Sequence, residues 1–365
     1  MTAYWLLFFI PLIGHFWGTN ATARSSSILW AAMVIVLIVF VGLRYDIGCD
    51  WQDYSELYQA IKTNNPSIGS KFHFVNFESL TSYFQWGPTY LSLNKISVYF
   101  DLGLPFVNLI CAVLMIYGLS KFFHELAYPW LAWLFATPYL IIVVGMGYTR
   151  QSVAIGLSYW ALSYLERKKF RNFLLLIVSG ATFHISALML LPLALIPHGH
   201  KLDRQVIGRL SLTIFASILI GSYFIDDIVR YATTPSYSSA GGPIRATMTA
   251  IPATLLLLNY KRWAYRSDIA LVWSALALAS IAFFVLAWFW STLIDRLGLL
   301  LIPFQIFCWT TLLAIVNNDR DRNIYSVALI LYFGLVLIVW LNFAHNSYCW
   351  THYQNVLFSL PLLNY

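Results

Sequence analysis

The run FLLLIVSGATFHISALMLLPLALI, Phe173 to Ile196, decides how this chain is threaded, because it reads either as one membrane crossing or as a hairpin of two short helices. At 1.5 Å per residue, a single helix of that length spans a bilayer. That reading leaves nine of the 22 basic residues inside and thirteen outside. A hairpin broken near Thr182-Phe-His-Ile-Ser186 instead returns the chain to its starting side at His198-Gly-His-Lys201 and reverses the sidedness of everything after it. Fourteen basic residues then lie inside and eight outside, and the excess of cytoplasmic Lys and Arg in membrane proteins selects the hairpin. Arms of about eleven residues cover about 16 Å, which predicts His184 near mid-membrane. A backbone break at that depth is tolerated only against protein or a water-filled cavity. The other reading is a long tilted helix with His184 hydrogen-bonded inside the bundle.

Outward from this run, apolar segments at roughly 3–18, 28–43, 104–122, 129–146, 148–165, 209–225, 244–259, 269–290, 297–316 and 324–343 are candidate crossings. The expectation is an all-α, polytopic membrane protein of about 10–12 transmembrane helices, the hairpin at 173–196 included. It forms a single transmembrane domain over 1–365, with one large periplasmic loop at 44–104. Composition agrees: 60% hydrophobic and 10% charged residues, with a mean hydropathy of +0.70, exclude an ordinary soluble domain, where about a quarter of residues are charged. The 15 Trp, 23 Tyr and 26 Phe suit interfacial belts. Tyr4 to Ile13 follows no basic region and precedes no small-residue cleavage site, so it reads as a retained helix. The net charge of +7 is distributed in short clusters between apolar runs, a topology signal and not a nucleic-acid footprint.

Polar chemistry concentrates at Arg44-Tyr-Asp-Ile-Gly-Cys-Asp-Trp-Gln-Asp-Tyr54, directly after an apolar run. Asp46 and Asp50 share a face if the helix continues, whereas Gly48 favours a turn. As a metal pair they lack a third ligand at recognisable spacing, and no cofactor or metal is expected. Either carboxylate could act as a general base on a sugar hydroxyl, as could His184, whose ordinary pKa lies near neutrality; structural roles are the alternatives. Arg150, Arg245 and Arg296 fall at the expected starts of inward-running helices, where positive charge opposes the helix dipole. An anion such as pyrophosphate relieves that conflict, and snorkelling to lipid headgroups is the plain alternative. No Gly-x-Ser-x-Gly elbow and no Walker loop occurs. Cys49 and Cys349 both map outside, where an oxidising compartment permits a disulfide, although sequence does not give their separation.

The same residues resemble a known family. Arg44 to Tyr54 is similar to the Arg-x-x-x-Gly-Thr-Asp-Tyr-x-x-Tyr signature of EpsG-like membrane proteins, relatives of the Wzy-type O-antigen and exopolysaccharide polymerases. Arg150-Gln-Ser-Val-Ala-Ile155, then Glu166-Arg-Lys-Lys169, then Ala181-Thr-Phe-His-Ile-Ser-Ala-Leu188 and Pro192 resemble that family's Arg-Gln helix, basic turn and Phe-His-x-Ser-Ala segment, in order and spacing. Arg44, Asp50, Tyr54, Arg150, Gln151, His184 and Ser186 carry over, while Cys49 stands for the usual Thr and Trp51 for the usual Tyr. The resemblance implies a glycosyltransferase of the bacterial inner membrane that polymerises undecaprenyl-pyrophosphate-linked repeat units at the periplasmic face. On this reading Asp50, Asp46 or His184 takes the hydroxyl proton, and Arg44, Arg150, Gln151, Arg245, Arg296, Tyr54 and Ser186 bind the substrate and its pyrophosphate. The implied partners are the lipid-linked glycan, the bilayer, and a chain-length regulator and flippase of the same pathway, with no nucleic acid. The alternatives are a flippase or transporter of lipid-linked oligosaccharide, another polyprenyl-lipid-dependent glycosyltransferase, or an O-antigen ligase.

Overall fold

A computed structural model describes residues 1–18, 23–64, 86–199, 204–222, 239 and 241–358. The chain is an all-α membrane protein. In order, its main helices are α1 (Thr2–Gly18), α2 (Ala23–Gly42), α3 (Trp51–Thr63), α4 (Pro88–Tyr99), α5 (Gly103–Phe123), α6 (Pro129–Gly147), α7 (Thr149–Glu166), α8 (Phe170–Ala181), α9 (Arg204–Ser222), α10 (Gly242–Leu258), α11 (Ala270–Leu286), α12 (Ser291–Ala314) and α13 (Asp319–Phe343). Five of these (α2, α5, α6, α12 and α13) are long and apolar enough to cross a membrane, and several shorter apolar helices stand beside them. Proline sets local boundaries: Pro88, Pro129 and Pro243 sit in first turns, where the missing N–H costs nothing. Pro138 inside α6 cannot donate, and the helix widens into a π-helical stretch over Thr137–Val144.

The buried centre is the pair α5 and α7, which run side by side in the same direction. A Cβ on Gly118 would lie 2.5 Å from the Gly156 carbonyl oxygen, so these two backbones touch only because both positions lack side chains. Nearly every residue of α7 is buried, which explains how a helix carrying Thr149, Gln151, Ser152, Ser158 and Ser163 is kept from lipid.

The hairpin reading of 173–196 holds. The chain enters through α8, breaks at Thr182–His184, and leaves through a 3-10 helix over Ile185–Leu195. His198 Nε2 then meets the Leu165 carbonyl at 2.9 Å, back at the end of α7. Gly180 packs on Ala154, so α8 runs antiparallel to α7 and carries His184 toward the level of α7's first turn.

The two faces differ chemically. The face holding the α7–α8 turn is basic and laced by ion pairs, Arg167 to Glu125 at 2.7 Å and Lys168 to Asp268 at 3.0 Å, with Glu166 accepting from the Ser267 hydroxyl. The opposite face carries a disulfide between Cys49 and Cys349. There Arg44–Tyr45 (β1) and Gln354–Asn355 (β2) pair antiparallel, and the Tyr353 ring stacks on Phe40 at 3.9 Å. The polar stretch after α2 is thereby fastened to the C-terminal segment. Of the loop expected at 44–104, the described residues include two helices, α3 and α4, joined along their length by Tyr54–Tyr90 and Lys62–Asp101 contacts.

Candidate functional site

The turn after α2 is the first component. Asp46 adopts a left-handed φ of 51° and is exposed, so Asp46 and Asp50 do not share a helical face. Among the described residues, no hydrogen bond or ion pair joins Asp46 to the groups below. Asp50 stands at the N-terminus of α3, where a carboxylate suits the helix dipole. One turn later Tyr54 is buried, and burial raises its hydroxyl above the ordinary range while the neighbouring Arg150 opposes that shift.

Arg44 belongs to the framework. Its side chain is 1% exposed, Nη1 donates to the Val41 carbonyl and Nη2 to Thr149 Oγ1, both at 2.6 Å. It closes the C-terminus of α2, where a cation is favoured, and holds the residue preceding Arg150. Both terminal nitrogens are thus hydrogen-bonded to protein.

Arg150 emerges from the first turn of α7, half-buried, with its guanidinium 4.6 Å from the Trp86 ring and 5.9 Å from the Tyr90 ring, and acts electrostatically on Tyr54. Trp86 is brought there by a junction between α4 and the hairpin. Thr89 N donates to the Thr182 carbonyl at 3.1 Å, and its hydroxyl donates to Thr182 Oγ1 at 2.8 Å. Gly87, at a φ of +84°, lets the chain pass where a Cβ would stand 2.4 Å from the Phe183 carbonyl oxygen.

His184 ends the extended turn at the hairpin apex. The Ser186 backbone N–H donates to His184 Nδ1 at 3.3 Å, and Ser186 Oγ lies 2.8 Å from the same nitrogen. A nitrogen that accepts a backbone N–H carries no proton, so the neutral ring has its hydrogen on Nε2. Arg150 and Arg296 both act on this imidazole electrostatically.

Arg296 does not begin a helix, contrary to the sequence expectation: α12 starts at Ser291, because the polar turn 291–296 continues directly into the apolar run. Arg296 is exposed, 5.4 Å from the Tyr148 ring, and its carbonyl accepts from Gln151 Nε2 at 3.1 Å, which ties α7 to α12. Asp50 acts electrostatically on both Tyr54 and Tyr148, linking the acid to the two arginine stations. Arg245 stands apart. Its Nε donates to Asp295 Oδ1 at 2.5 Å and its Nη2 to Ser239 Oγ at 2.9 Å, with the Tyr139 ring 5.6 Å away.

Asp50, Tyr54, Arg150, Gln151, His184, Ser186 and Arg296 therefore gather on the disulfide face. Arg44 supports them from behind and Arg245 is charge-paired beside them. Sequence reading did not assign Trp86, Tyr90, Tyr148 or Asp295. Asp295 immediately precedes Arg296, and that adjacency was the available signal.

The family model described as EpsG family matches residues 27–355. The chain belongs to the EpsG family. This family is associated with polymerase-like membrane proteins of glycosyltransferase type. No curated protein and no solved structure matches the chain at a significant level. The family match runs from residue 27, within α2, through the β1–β2 pair, so every residue of the cluster lies within it.

Proposed function

We propose that this EpsG-family chain polymerises undecaprenyl-pyrophosphate-linked repeat units at the periplasmic face of the inner membrane. The observation that carries the reading is the grouping of one carboxylate, one histidine and two arginines on the face opposite the basic turns. The Cys49–Cys349 disulfide favours an oxidising compartment on that side, and the excess of Lys and Arg favours cytoplasm on the other.

A hydroxyl of the incoming repeat unit attacks the anomeric carbon of the growing chain. The new carbon–oxygen bond forms as the bond to the pyrophosphate oxygen breaks, and undecaprenyl pyrophosphate leaves with the electron pair. Arg150 and Arg296 stabilise the charge developing on that group, fixed donors being worth most where charge appears in the transition state. Asp50 takes the hydroxyl proton. His184 serves as a donor through Nε2–H, because its Nδ1 lone pair is engaged by Ser186 and Nε2 holds the proton. Trp86 and Tyr90, both buried, hold the Arg150 guanidinium by their rings and so fix its position toward the pyrophosphate.

The test is a gel profile of surface polysaccharide from a deletion strain, with the wild-type, Arg150→Ala, His184→Ala or Asp50→Asn gene restored. A ladder that collapses to single-repeat material in the deletion strain, and stays collapsed with the variants at normal protein level, supports polymerisation at this site. An unchanged ladder in the deletion strain removes it. The broken hairpin also suits a second reading, a flippase of lipid-linked oligosaccharide, since transporters build sites from interrupted helices. In that case the deletion strain accumulates lipid-linked repeats accessible only from the cytoplasmic side.

A further inference from the structure

Three segments far apart in the chain meet directly behind the site. Gly48, two residues before Asp50, donates its N–H to the carbonyl of the bridged Cys349 at 3.0 Å. A Cβ on Gly48 would lie 2.6 Å from the Met146 carbonyl oxygen and 2.9 Å from Gly147 Cα, so this turn rests on the end of α6. From the C-terminal segment comes Trp350, 2% exposed. Its Nε1 donates to the Ile142 carbonyl at 2.9 Å within the π-helical stretch, and its ring lies 2.8 Å from where a Cβ on Gly147 would stand. The Trp350 carbonyl accepts from the Tyr4 hydroxyl at 2.8 Å, and the Trp340 ring meets the indole edge to face at 5.6 Å.

Gly147 is followed by Tyr148, Thr149 and Arg150, and Cys49 by Asp50. The indole thus holds the end of α6 from which Arg150 departs, and the bridge holds the turn from which Asp50 departs. Cys349 and Trp350 are consecutive, so both holds belong to one two-residue segment of the C-terminal tail. A buried indole whose N–H is satisfied makes a stiff wedge, fixed by packing on its faces and by one directional bond. The bridge, by contrast, is within reach of solutes: Cys49 is exposed, whereas the free thiols Cys111 and Cys308 are buried.

We propose that Trp350 is a positioning residue for Arg150, and that the Cys49–Cys349 bond makes this positioning depend on redox state, the chain being active when bridged and impaired when reduced. The proposal rests on the polymerase reading and adds a control to that site. The switching step is thiol–disulfide exchange with a dithiol. One thiolate of the reductant attacks Cys49 Sγ, and Cys349 leaves with the electron pair and takes a proton. The second thiol of the reductant then displaces Cys49, which also ends as a thiol. The reductant ends as a disulfide, and two electrons and two protons have passed to the protein.

The experiment is hydrogen–deuterium exchange, read by mass spectrometry, on the purified full-length chain in detergent. It compares the bridged protein, the same protein reduced with dithiothreitol, and bridged Trp350→Phe and Trp350→Ala. Peptides covering 44–54, 145–152 and 344–355 are followed, with α11 as the reference. Reduction and Trp350→Ala are each expected to speed exchange over 145–152 at least about threefold, with α11 unchanged. Trp350→Phe, which keeps a ring against Gly147 and loses the N–H, falls between Trp350→Ala and wild type, and reoxidation reverses the effect of dithiothreitol. Faster exchange confined to 344–355 would make the tail a surface strap and overturn the proposal, as would an equal rise in α11. If Trp350→Ala does not fold, reduced wild type and Trp350→Phe decide by the same criterion. In a deletion strain whose ladder has collapsed, Cys49→Ser is expected to restore at least about threefold less polymer than wild type at equal protein level, and full restoration overturns the redox control. Exchange is read without polymer formation, so failure of the polymerase reading in cells and failure of the positioning assignment remain separate results.

Discussion

Arg44 Nη2 donates to Thr149 Oγ1 at 2.6 Å, and Thr149 is the residue before Arg150. One buried arginine thus sets the position of the next arginine of the cluster. Arg44→Ala removes both of its bonds at a site 1% exposed, a class of change that destabilises by several kcal/mol. Folded protein in membranes, read by fluorescence-detected size exclusion, is expected to fall severalfold for Arg44→Ala. It is expected to stay near wild type for Arg150→Ala, which still abolishes polymer. Equal protein levels in the two variants would return Arg44 to the substrate-contacting set.

The bond from the Ser186 N–H to His184 Nδ1 supports the donor role proposed for His184. His184→Gln keeps an N–H near the position of Nε2, whereas His184→Ala does not. Glutamine is expected to retain at least about tenfold more polymer than alanine, within the range that one positioned donor contributes. Matching losses would point to a proton-accepting imidazole.

Arg245 and Asp295 form a partly buried pair, and hydrogen bonds to charged groups at such sites are worth about 1.5–3 kcal/mol. Each single change, Arg245→Ala or Asp295→Asn, should lower the melting temperature of the detergent-solubilised protein. The double variant should lose less than the sum of the two. Strict additivity in that cycle would mean the pair is not coupled.

Gly87 and Gly208 provide a matched comparison. Alanine at Gly87 must adopt a φ of +84° and strike the Phe183 carbonyl, whereas nothing stands within 4 Å of a Cβ on Gly208, inside α9. Gly87→Ala is expected to cost about 1–3 kcal/mol and to reduce polymer by displacing Trp86 from Arg150. Gly208→Ala should be neutral or slightly stabilising. Similar behaviour of the two would remove the α4–hairpin junction from the site.

Much of this arrangement was legible in the sequence. The break at Thr182–Ser186 follows from counting positive charge, because sidedness is a global constraint that one hairpin shifts for every later segment. Helix ends marked by Gly42, Pro129 and Pro243 fall within a few residues of expectation, since those residues act locally. What sequence did not give are contacts between distant segments. Asp295 meets Arg245 across fifty positions, and Trp86 meets Arg150 through a junction at Thr89 and Thr182 that hydropathy does not encode. The level of His184 beside the first turn of α7 is likewise a property of packing. The apolar run begins after Arg296 and suggests a helix start there, whereas the helix itself begins earlier, at Ser291.

The bridge between Cys49 and Cys349 closes a covalent ring across 300 positions. A protease cut anywhere between those two cysteines would therefore release no fragment on a non-reducing gel, and the nicked protein would run as one chain until reductant is added. Cys111 and Cys308 are buried free thiols, so maleimide should add twice to the denatured, unreduced protein and four times after reduction. Intactness on a non-reducing denaturing gel is thus no measure of whether the backbone between these two cysteines is continuous.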